Sequence, residues 1–329
     1  MRKITLLVIA LTLLFVNGKA QKLVFNQDST FKIVQFTDMH YQHGNLKSDT
    51  TLLSIGRILD AENPDLIVFT GDIITSHLVE ESWNDITKFA IDRQIPFAVT
   101  FGNHDDEQGV TRSELAELIT RYPYNVNSLR EDGKQYHLNN VLPIYGSKEG
   151  MKTKSNVYLI DSKTYSTING VGGYGWITTE TIDWYKKQSL SFTINNDYQP
   201  IPAVAFFHIP LPEYKTAFDD EKNVRFGERL EKECAPELNS GMFLAMKEMR
   251  DVIGVFTGHD HVNNYIVDYH DIALAYGCFS GWRTTYVPEI NGARVVVLKE
   301  GEREFNTWLH LLDGNIKHNV SYPNDFKSE

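Results

Sequence analysis

The sequence is poor in cysteine. Cys234 and Cys278 are the only two among 329 residues, and they stand far apart, in no CxxC arrangement. This spacing excludes the paired-cysteine motifs of redox and thiolate metal sites. One disulfide between them and two free buried thiols are both compatible with the sequence.

The sequence also lacks internal repeats, low-complexity tracts and linkers rich in proline or serine, so a single domain is expected. The apolar run Ile4–Val16 has thirteen residues, too few to span a membrane comfortably. Two basic residues precede it and Gly18-Lys19-Ala20 follows it, as in a secretory signal. We therefore predict a cleaved signal peptide at residues 1–20 and an exported domain at 21–329, periplasmic or extracellular, with no stable membrane anchor.

Basic residues are in deficit. The 32 Lys and Arg against 43 Asp and Glu give a net charge of −11, and removal of the predicted leader, which carries three basic residues, would make it −14. An acidic surface repels polyanions, which disfavours a nucleic-acid-binding groove. A small phosphorylated substrate would have to be attracted by local positive charge, such as bound cations. The hydrophobic fraction of 42% is ample for a full core.

Strand and helix signals alternate through the first 125 residues, the βαβ rhythm that requires a parallel sheet with covered faces. The predicted strands are 32–36, 66–70, 97–101, 203–207, 253–257, 272–276, 293–298 and 305–311. The predicted helices are 49 or 50–61, 82–92, 111–122, 178–188 and 240–250. The third begins Thr111-Arg112-Ser113-Glu114, which has capping-box spacing. Beyond residue 250 the strands follow one another, so the expected fold is α/β, with a second mixed β-sheet packed on the first and helices flanking both.

Five polar segments follow predicted strands, at the strand ends where α/β sheets build their sites. The segments are Asp38-Met39-His40, Gly71-Asp72, Gly102-Asn103-His104-Asp105, His208 and Gly258-His259-Asp260-His261. Their carboxylates, imidazoles and one amide, without a thiolate, suit Zn, Mn, Fe or Ni. Asp38 and His40 lie two apart, on one face of an extended segment, and the two oxygens of Asp72 can bridge two cations. Seven ligands with one shared carboxylate describe a two-metal centre that clamps a phosphoryl group.

In type and order these segments resemble the signature of the calcineurin-like metallophosphoesterases: D-x-H, G-D, G-N-H-[DE], a lone H, and G-H-x-H. The resemblance covers about residues 32–265. Further stretches, Gly173–Ile177, His208–Tyr214 and Gly258–Asn263, are similar to the branch related to the small purple acid phosphatases. The resemblance implies a four-layer α/β/β/α sandwich that binds two divalent or transition-metal ions, Mn, Fe or Zn.

The resemblance also implies a role for each position. It assigns to one ion Asp38, His40, Asp72 and His261, and to the other Asp72, Asn103, His208 and His259. It implies in-line attack on phosphorus by a hydroxide that the metals hold, while His104 stabilises the phosphoryl oxygens or protonates the leaving group. Asp105 would orient His104, and Asp260 is a weaker supporting candidate. Phosphomonoester hydrolysis is favoured, with a phosphodiesterase or nucleotidase, or a non-catalytic metal-stabilised binding module, as the alternatives.

Two positions depart from the purple enzymes. Those enzymes have glycine where His40 stands, and a tyrosinate ligand three residues after the bridging aspartate, where this chain has Thr75. The sequence therefore predicts a dinuclear site without ferric-tyrosinate chemistry. Arg283 is interpreted as a solvated side chain rather than a phosphate ligand. Tyr174 and Trp176 are interpreted as part of a glycine-rich turn rather than a substrate wall.

Overall fold

The computed structural model describes residues 21–133, 135–148, 152–281 and 287–327. The predicted signal peptide and Arg283 lie outside the described residues. Within the described part of the chain, none of the helices combines the length and the apolar character needed to cross a bilayer.

Sixteen strands and six α-helices make up the described chain. The strands are β1 (Leu23–Val24), β2 (Thr30–Phe36), β3 (Leu66–Thr70), β4 (Phe97–Thr100), β5 (Arg130–Asp132), β6 (Gln135–His137), β7 (Asn140–Tyr145), β8 (Thr153–Leu159), β9 (Ala203–Phe206), β10 (Arg225–Phe226), β11 (Val252–Thr257), β12 (Ile266–Tyr269), β13 (Ile272–Tyr276), β14 (Gly292–Lys299), β15 (Phe305–Leu311) and β16 (Ile316–Tyr322). The helices are α1 (Asp49–Glu62), α2 (Val79–Arg93), α3 (Arg112–Ile119), α4 (Thr179–Asn195), α5 (Glu213–Asp219) and α6 (Met242–Met249), with 3-10 turns at Pro288–Ile290 and Asn324–Phe326.

Two large mixed sheets form the centre of the molecule. The six-stranded sheet has the order β16-β15-β14-β2-β3-β4, and the eight-stranded sheet has the order β1-β7-β8-β9-β11-β13-β12-β10. The strands β2, β3 and β4 are parallel, as are β8, β9, β11 and β13. Both sheets thus combine a parallel part with antiparallel strands.

Apolar side chains fill three successive layers. Successive residues of a strand face opposite sides of its sheet, so Ile33 packs between the two sheets, whereas its neighbour Val34 packs against α1, α2 and α3. On the outer face of the eight-stranded sheet, residues such as Ala205 pack against α4, α5 and α6. The predicted arrangement of two packed mixed sheets flanked by helices is confirmed.

The expectation that all strands beyond residue 250 belong to the second sheet is wrong. β14 pairs antiparallel with β2, so β14, β15 and β16 extend the first sheet. The strands β11 and β13 instead join β8 and β9 in the other sheet. The alternation of apolar residues tells which face of a strand is buried but not which distant strand pairs with it, because that choice is made by non-local packing.

Glu62, the last residue of α1, ties that helix to the six-stranded sheet through a buried carboxylate. Lys32 Nζ donates to its Oε2 at 3.0 Å, and Trp308 Nε1 and His310 Nδ1 donate to its Oε1 at 2.9 and 2.6 Å. Burial alone would raise the pKa of Glu62, but the bonds from His310, Trp308 and Lys32 outweigh burial and lower the pKa to about 2.

Glu62→Gln is therefore expected to show a pH-dependent loss of stability. The folded pKa lies below the ordinary value of 4.5, so the carboxylate stabilises the fold fully above that pH and loses its effect as the pH falls toward 2. We expect the variant to lose about 1 to 3 kcal/mol of unfolding free energy at pH 7, measured in urea, and the deficit to shrink below pH 4.5. Glu302→Gln, at an exposed turn, is the control. A deficit that is constant with pH would contradict this role.

Candidate metal centre

The five predicted ligand segments meet at one edge of the two sheets. They follow the carboxyl ends of β2, β3, β4, β9 and β11. The backbone amide of His40 donates to the carbonyl of Asp72 at 3.0 Å. The backbone amide of His259 donates to both carboxylate oxygens of Asp38, at 3.2 and 3.0 Å. Direct hydrogen bonds thus join segments that lie more than 200 residues apart in sequence.

Four predicted ligands have left-handed backbone. The φ angles are 52° at Asp38, 44° at His40, 53° at Asp72 and 77° at His259. A non-glycine residue in this region costs on the order of 1 kcal/mol, and such strain concentrates where function requires it. The strand ends therefore turn sharply at the positions that aim ligands into the centre.

The glycines of the motifs are required by close approach. At Gly102 a Cβ atom would lie 2.2 Å from Asp72 Oδ1, and at Gly258 it would lie 1.9 Å from Thr37 Oγ1 and 2.5 Å from Asp38 Oδ2. A larger residue at either position would displace a predicted ligand carboxylate. The glycines allow segments from different strands to pack at van der Waals distance around the site.

Two groups of ligand atoms lie side by side. The first is Asp38, His40 and His261, and the second is Asp72, His208 and His259; within each group the ligand atoms all lie within 4.8 Å of one another. In the first group, His261 Nε2 lies 3.3 Å from both Asp38 Oδ1 and His40 Nε2. These are the groupings that a pair of ions would need.

Asp72 lies between the two groups. Its Oδ2 is 3.2 Å from His208 Nε2 and 4.0 Å from His40 Nε2. Its Oδ1 accepts a hydrogen bond from the backbone amide of His104 at 2.8 Å, which fixes the carboxylate plane. One carboxylate oxygen thus faces imidazoles of both groups, as a bridging ligand must.

Two buried atoms of this cluster, Asn103 Oδ1 and His259 Nε2, make no hydrogen bond within the described part of the chain, and His208 Nε2 has an ion-pair contact with Asp72 Oδ2 at 3.2 Å. His208 Nδ1 donates to the carbonyl of Thr70 at 2.8 Å, which turns Nε2 toward the centre. An unsatisfied buried polar atom costs about 1 to 3 kcal/mol. A cation that accepts these lone pairs would remove that cost, so the residues present fit a metal centre.

The electrostatics of the cluster suit cation binding. Burial would raise the pKa of Asp38, but nearby His208 and His261 outweigh burial and lower that pKa to about 2. Burial would lower the pKa of His208, but Asp72 and Asp38 outweigh it and raise the pKa to about 10. Burial is the main cause that lowers the pKa of His259 to about 3. Ionised carboxylates beside neutral imidazoles are the ligand states that metal binding requires, and a cation would displace the His208 proton.

His104 stands beside the cluster but belongs to neither group. Its Nδ1 donates to Glu107 Oε2 at 2.6 Å, and its ring lies 5.7 Å from that of His40, centroid to centroid. About a third of the His104 side chain is exposed, at 36%. The imidazole is therefore open to a ligand on one side and anchored by Glu107 on the other.

The prediction that Asp105 orients His104 is wrong. Asp105 is fully buried and accepts hydrogen bonds from the backbone amides of Gly102 at 2.7 Å, Asp72 at 2.9 Å and Ile73 at 2.9 Å. Turning its carboxylate toward the imidazole would leave three buried amides without acceptors. Asp105 instead joins the ends of β3 and β4, and Glu107 is the partner that sequence reasoning missed.

Two tyrosines border the second group. The Tyr174 ring packs edge to face on His259, with centroids 4.3 Å apart, and Tyr165 stacks on Tyr174 with centroids 5.6 Å apart. The hydroxyl of Tyr165 accepts from Asn103 Nδ2 at 3.4 Å and donates to Glu107 Oε1 at 3.2 Å. The interpretation of Tyr174 as only a turn residue was therefore incomplete, and the sequence held no signal for Tyr165.

Other residues named from the sequence lie around the site. The carboxylate of Asp260 accepts from the Tyr276 hydroxyl at 2.5 Å and from the backbone amide of Cys234 at 3.1 Å, which anchors the loop that carries both histidines. Cys234 is exposed and Cys278 is buried, and both are free thiols, so the disulfide alternative is not realised. Trp176 lines a cavity that none of the predicted ligands lines.

The two packed mixed sheets thus carry a cluster of histidines and carboxylates at their shared edge, the arrangement expected of a metallophosphoesterase. Residues 31–263 match the family described as calcineurin-like phosphoesterase, and the chain belongs to that family. The predicted resemblance, including its leaning toward the purple acid phosphatases, is confirmed by relatives of that name.

One such relative is "Probable inactive purple acid phosphatase 29" from Arabidopsis thaliana, 31% identical over 322 residues, with 88% of this chain and 82% of that protein covered. Another is "Phosphatase DCR2" from Saccharomyces cerevisiae, 29% identical, with 93% of this chain and 60% of that protein covered. Among solved structures, a dimetal phosphatase from Danio rerio matches with a TM-score of 0.58 at 11% identity, covering 88% of this chain and 98% of that chain. The last comparison shows the shared fold.

Iron-loaded protein is expected to lack a purple tyrosinate band. Thr75 occupies the position of the tyrosinate ligand and donates to the carbonyl of His40 at 3.1 Å. The neighbouring Tyr41 hydroxyl donates to Asp85 at 2.7 Å. We expect no strong visible charge-transfer band after loading, with iron content checked by elemental analysis. A strong band that disappears in Tyr41→Phe or Tyr174→Phe would show that another tyrosine had become a ligand.

Proposed function

We propose that this protein hydrolyses phosphate esters, with a preference for small phosphomonoesters, at a centre of two divalent or transition-metal ions, Mn, Fe or Zn. The observation that carries the proposal is the pairing of two buried ligand atoms that have no hydrogen-bond partner, Asn103 Oδ1 and His259 Nε2, with an adjacent imidazole held by a carboxylate. A protein that only needed a structural ion would gain nothing from His104 and Glu107 beside the ligands.

The ligand assignment follows the two groups and the bridging position. Asp38, His40 and His261 would hold one ion, Asn103, His208 and His259 the other, and Asp72 both. When bound, the ions would polarise the phosphoryl oxygens and lower the pKa of a water molecule to about 7.

His104 would act on the substrate directly. With its Nδ1 proton donated to Glu107, the ring is held so that Nε2 is available to the phosphoryl group or its leaving oxygen. From that position the ring can give a proton to the leaving alkoxide or stabilise negative charge at the phosphoryl oxygens. The partial exposure of His104 leaves room for a substrate to approach.

A second candidate function is a metal-stabilised binding module without turnover. The relatives named "Probable inactive purple acid phosphatase 29" and "Probable inactive purple acid phosphatase 14" favour it. Hydrolysis of phosphodiesters or nucleotides by the same residues is the enzymatic alternative.

One assay separates these functions. Metal-depleted protein is refilled with Mn, Fe or Zn and mixed with a chromogenic aryl phosphate and, in parallel, with the bis-aryl diester. Faster turnover of the monoester supports the proposal, and faster turnover of the diester supports the phosphodiesterase. The absence of turnover with all three metals on both esters would support the binding module.

We propose further that residues 1–20 direct export and are removed, which leaves one domain from 21 to 329 that acts on small phosphorylated substrates outside the cytoplasm. The basic start, the short apolar run and the small residues Gly18 and Ala20 support this. N-terminal sequencing of the protein recovered from the producing cell tests it, and a mature protein that begins at Met1 would contradict it.

A further inference from the structure

The two tyrosines beside the site lie on a single hairpin-like loop between β8 and α4. Tyr165 and Tyr174 form an antiparallel bridge, and the backbone amide of Ser166 donates to the carbonyl of Gly173 at 3.0 Å. The loop closes on itself through these backbone contacts. The two rings are thereby held face to face at a fixed place in the fold.

The pair is fastened to the candidate metal centre at both ends. Tyr174 rests edge-on against the ring of His259, with an interplanar angle of 89°. Tyr165 stacks on Tyr174 with an interplanar angle of 23°, and its hydroxyl bonds Asn103 and Glu107. The hydroxyl contacts place the Tyr165 ring at the rim of the site.

Tyr165 is partly open to solvent although its ring and its hydroxyl are both held. It remains 44% exposed although Tyr174 covers one of its faces and its hydroxyl is bonded. Aromatic rings in folded proteins attract other planar rings by offset stacking. Stacking is also insensitive to the strong negative charge of the chain, which would repel an anionic leaving group.

We infer that the Tyr165–Tyr174 pair is a stacking surface for the leaving group, so that the preferred substrates are phosphate esters whose alcohol carries a planar aromatic ring. The inference rests on the proposed hydrolysis of phosphate esters and adds the substrate class. The phosphoryl group would lie at the metal centre, beside His104, and the ring of the alcohol on the open part of Tyr165.

The test compares ligands that differ only in the ring. Adenosine 5′-monophosphate and ribose 5-phosphate share a primary phosphate ester and differ in the base. Phenylphosphonate and methylphosphonate share the charged group and bind without hydrolysis. For metal-loaded wild type, we expect the aromatic member to have the higher kcat/KM or the lower inhibition constant, by about 3- to 10-fold, in at least one pair.

The variants separate stacking from the contacts of the hydroxyl. The aromatic preference is the ratio of the two values within a pair. Tyr165→Leu should reduce this ratio to about 1, whereas Tyr165→Phe, which keeps the ring, should retain it. Tyr174→Leu should weaken the preference because Tyr165 loses its support. Tyr198→Leu, which replaces an exposed tyrosine after α4, is the matched control and should leave the preference unchanged. Metal content is measured for each variant, so that loss of the centre is recognised.

The outcomes are distinct. If wild type prefers adenosine 5′-monophosphate over ribose 5-phosphate and Tyr165→Leu loses that preference, the inference is supported with a nucleobase as the ring. If only the preference for phenylphosphonate over methylphosphonate behaves in this way, the inference is supported with an aryl group as the ring. The inference would be overturned if kcat/KM or the inhibition constant were equal for the two members of both pairs, or if the preference survived in Tyr165→Leu. Either result would leave the proposed hydrolysis intact. Failure of wild type to hydrolyse any ester would instead overturn the proposed function.

Discussion

Replacing His104 by alanine is expected to slow the chemical step of ester hydrolysis by about 10²- to 10⁴-fold, the range for a positioned acid or charge stabiliser. The imidazole belongs to neither ligand group and is anchored by Glu107. Folding and metal content should therefore remain near those of wild type. Single-turnover kinetics with elemental analysis measure both effects, and His77→Ala, at an exposed position, is the control.

The choice of ester reveals what His104 contributes. If it mainly protonates the leaving group, the loss in His104→Ala should be small for an activated aryl ester and large for an alkyl ester. An equal loss on both would indicate stabilisation of charge on the phosphoryl oxygens. Glu107→Gln should reduce kcat in the same pattern but by less, because the ring remains while its orienting carboxylate is removed. A His104→Ala protein that loses metal, or that keeps wild-type turnover on every ester, would contradict the assigned role.

The second large effect is expected from Asp72→Asn. One oxygen of Asp72 faces imidazoles of both groups, so loss of its charge should weaken both sites together. We expect each apparent metal affinity to fall by roughly 10- to 100-fold and activity to fall with it, because even supporting groups of metal sites contribute that much. Elemental analysis and metal titration measure the change, and Asp183→Asn, on the exposed side of α4, is the control.

Wild-type protein should bind two ions per chain under the same conditions. One ion per chain, or an Asp72→Asn protein that retains full metal and activity, would contradict the bridging position. Loss of one ion alone would show that Asp72 serves a single site.

The parts of this protein that depend on local chemistry were predictable from the sequence. The capping box at Thr111 and Glu114 is present at the start of α3, because a cap involves residues only three apart. The ligand segments were predictable for a related reason. Each lies at the end of an apolar strand, and the carboxyl ends of parallel strands gather at one edge of a sheet.

The contacts that the sequence did not reveal are those made across loops. Asp105 follows His104 directly, yet its carboxylate serves backbone amides of two strand ends, and the more distant Glu107 reaches the imidazole. Tyr165 meets Asn103 only because the loop before α4 folds back over the site. Adjacency in sequence is a poor guide once the chain leaves a strand, since tertiary packing then decides where a side chain lies.

The backbone at His40 also determines which residues this position accommodates without strain. Its φ of 44° is a conformation that glycine adopts at no steric cost, and glycine is the residue that the purple enzymes carry there. The hydroxyl of Thr75 donates a hydrogen bond to the carbonyl of His40. The main-chain turn of this chain thus already suits a glycine at position 40, and His40→Gly would remove the steric cost of the left-handed φ rather than add to it.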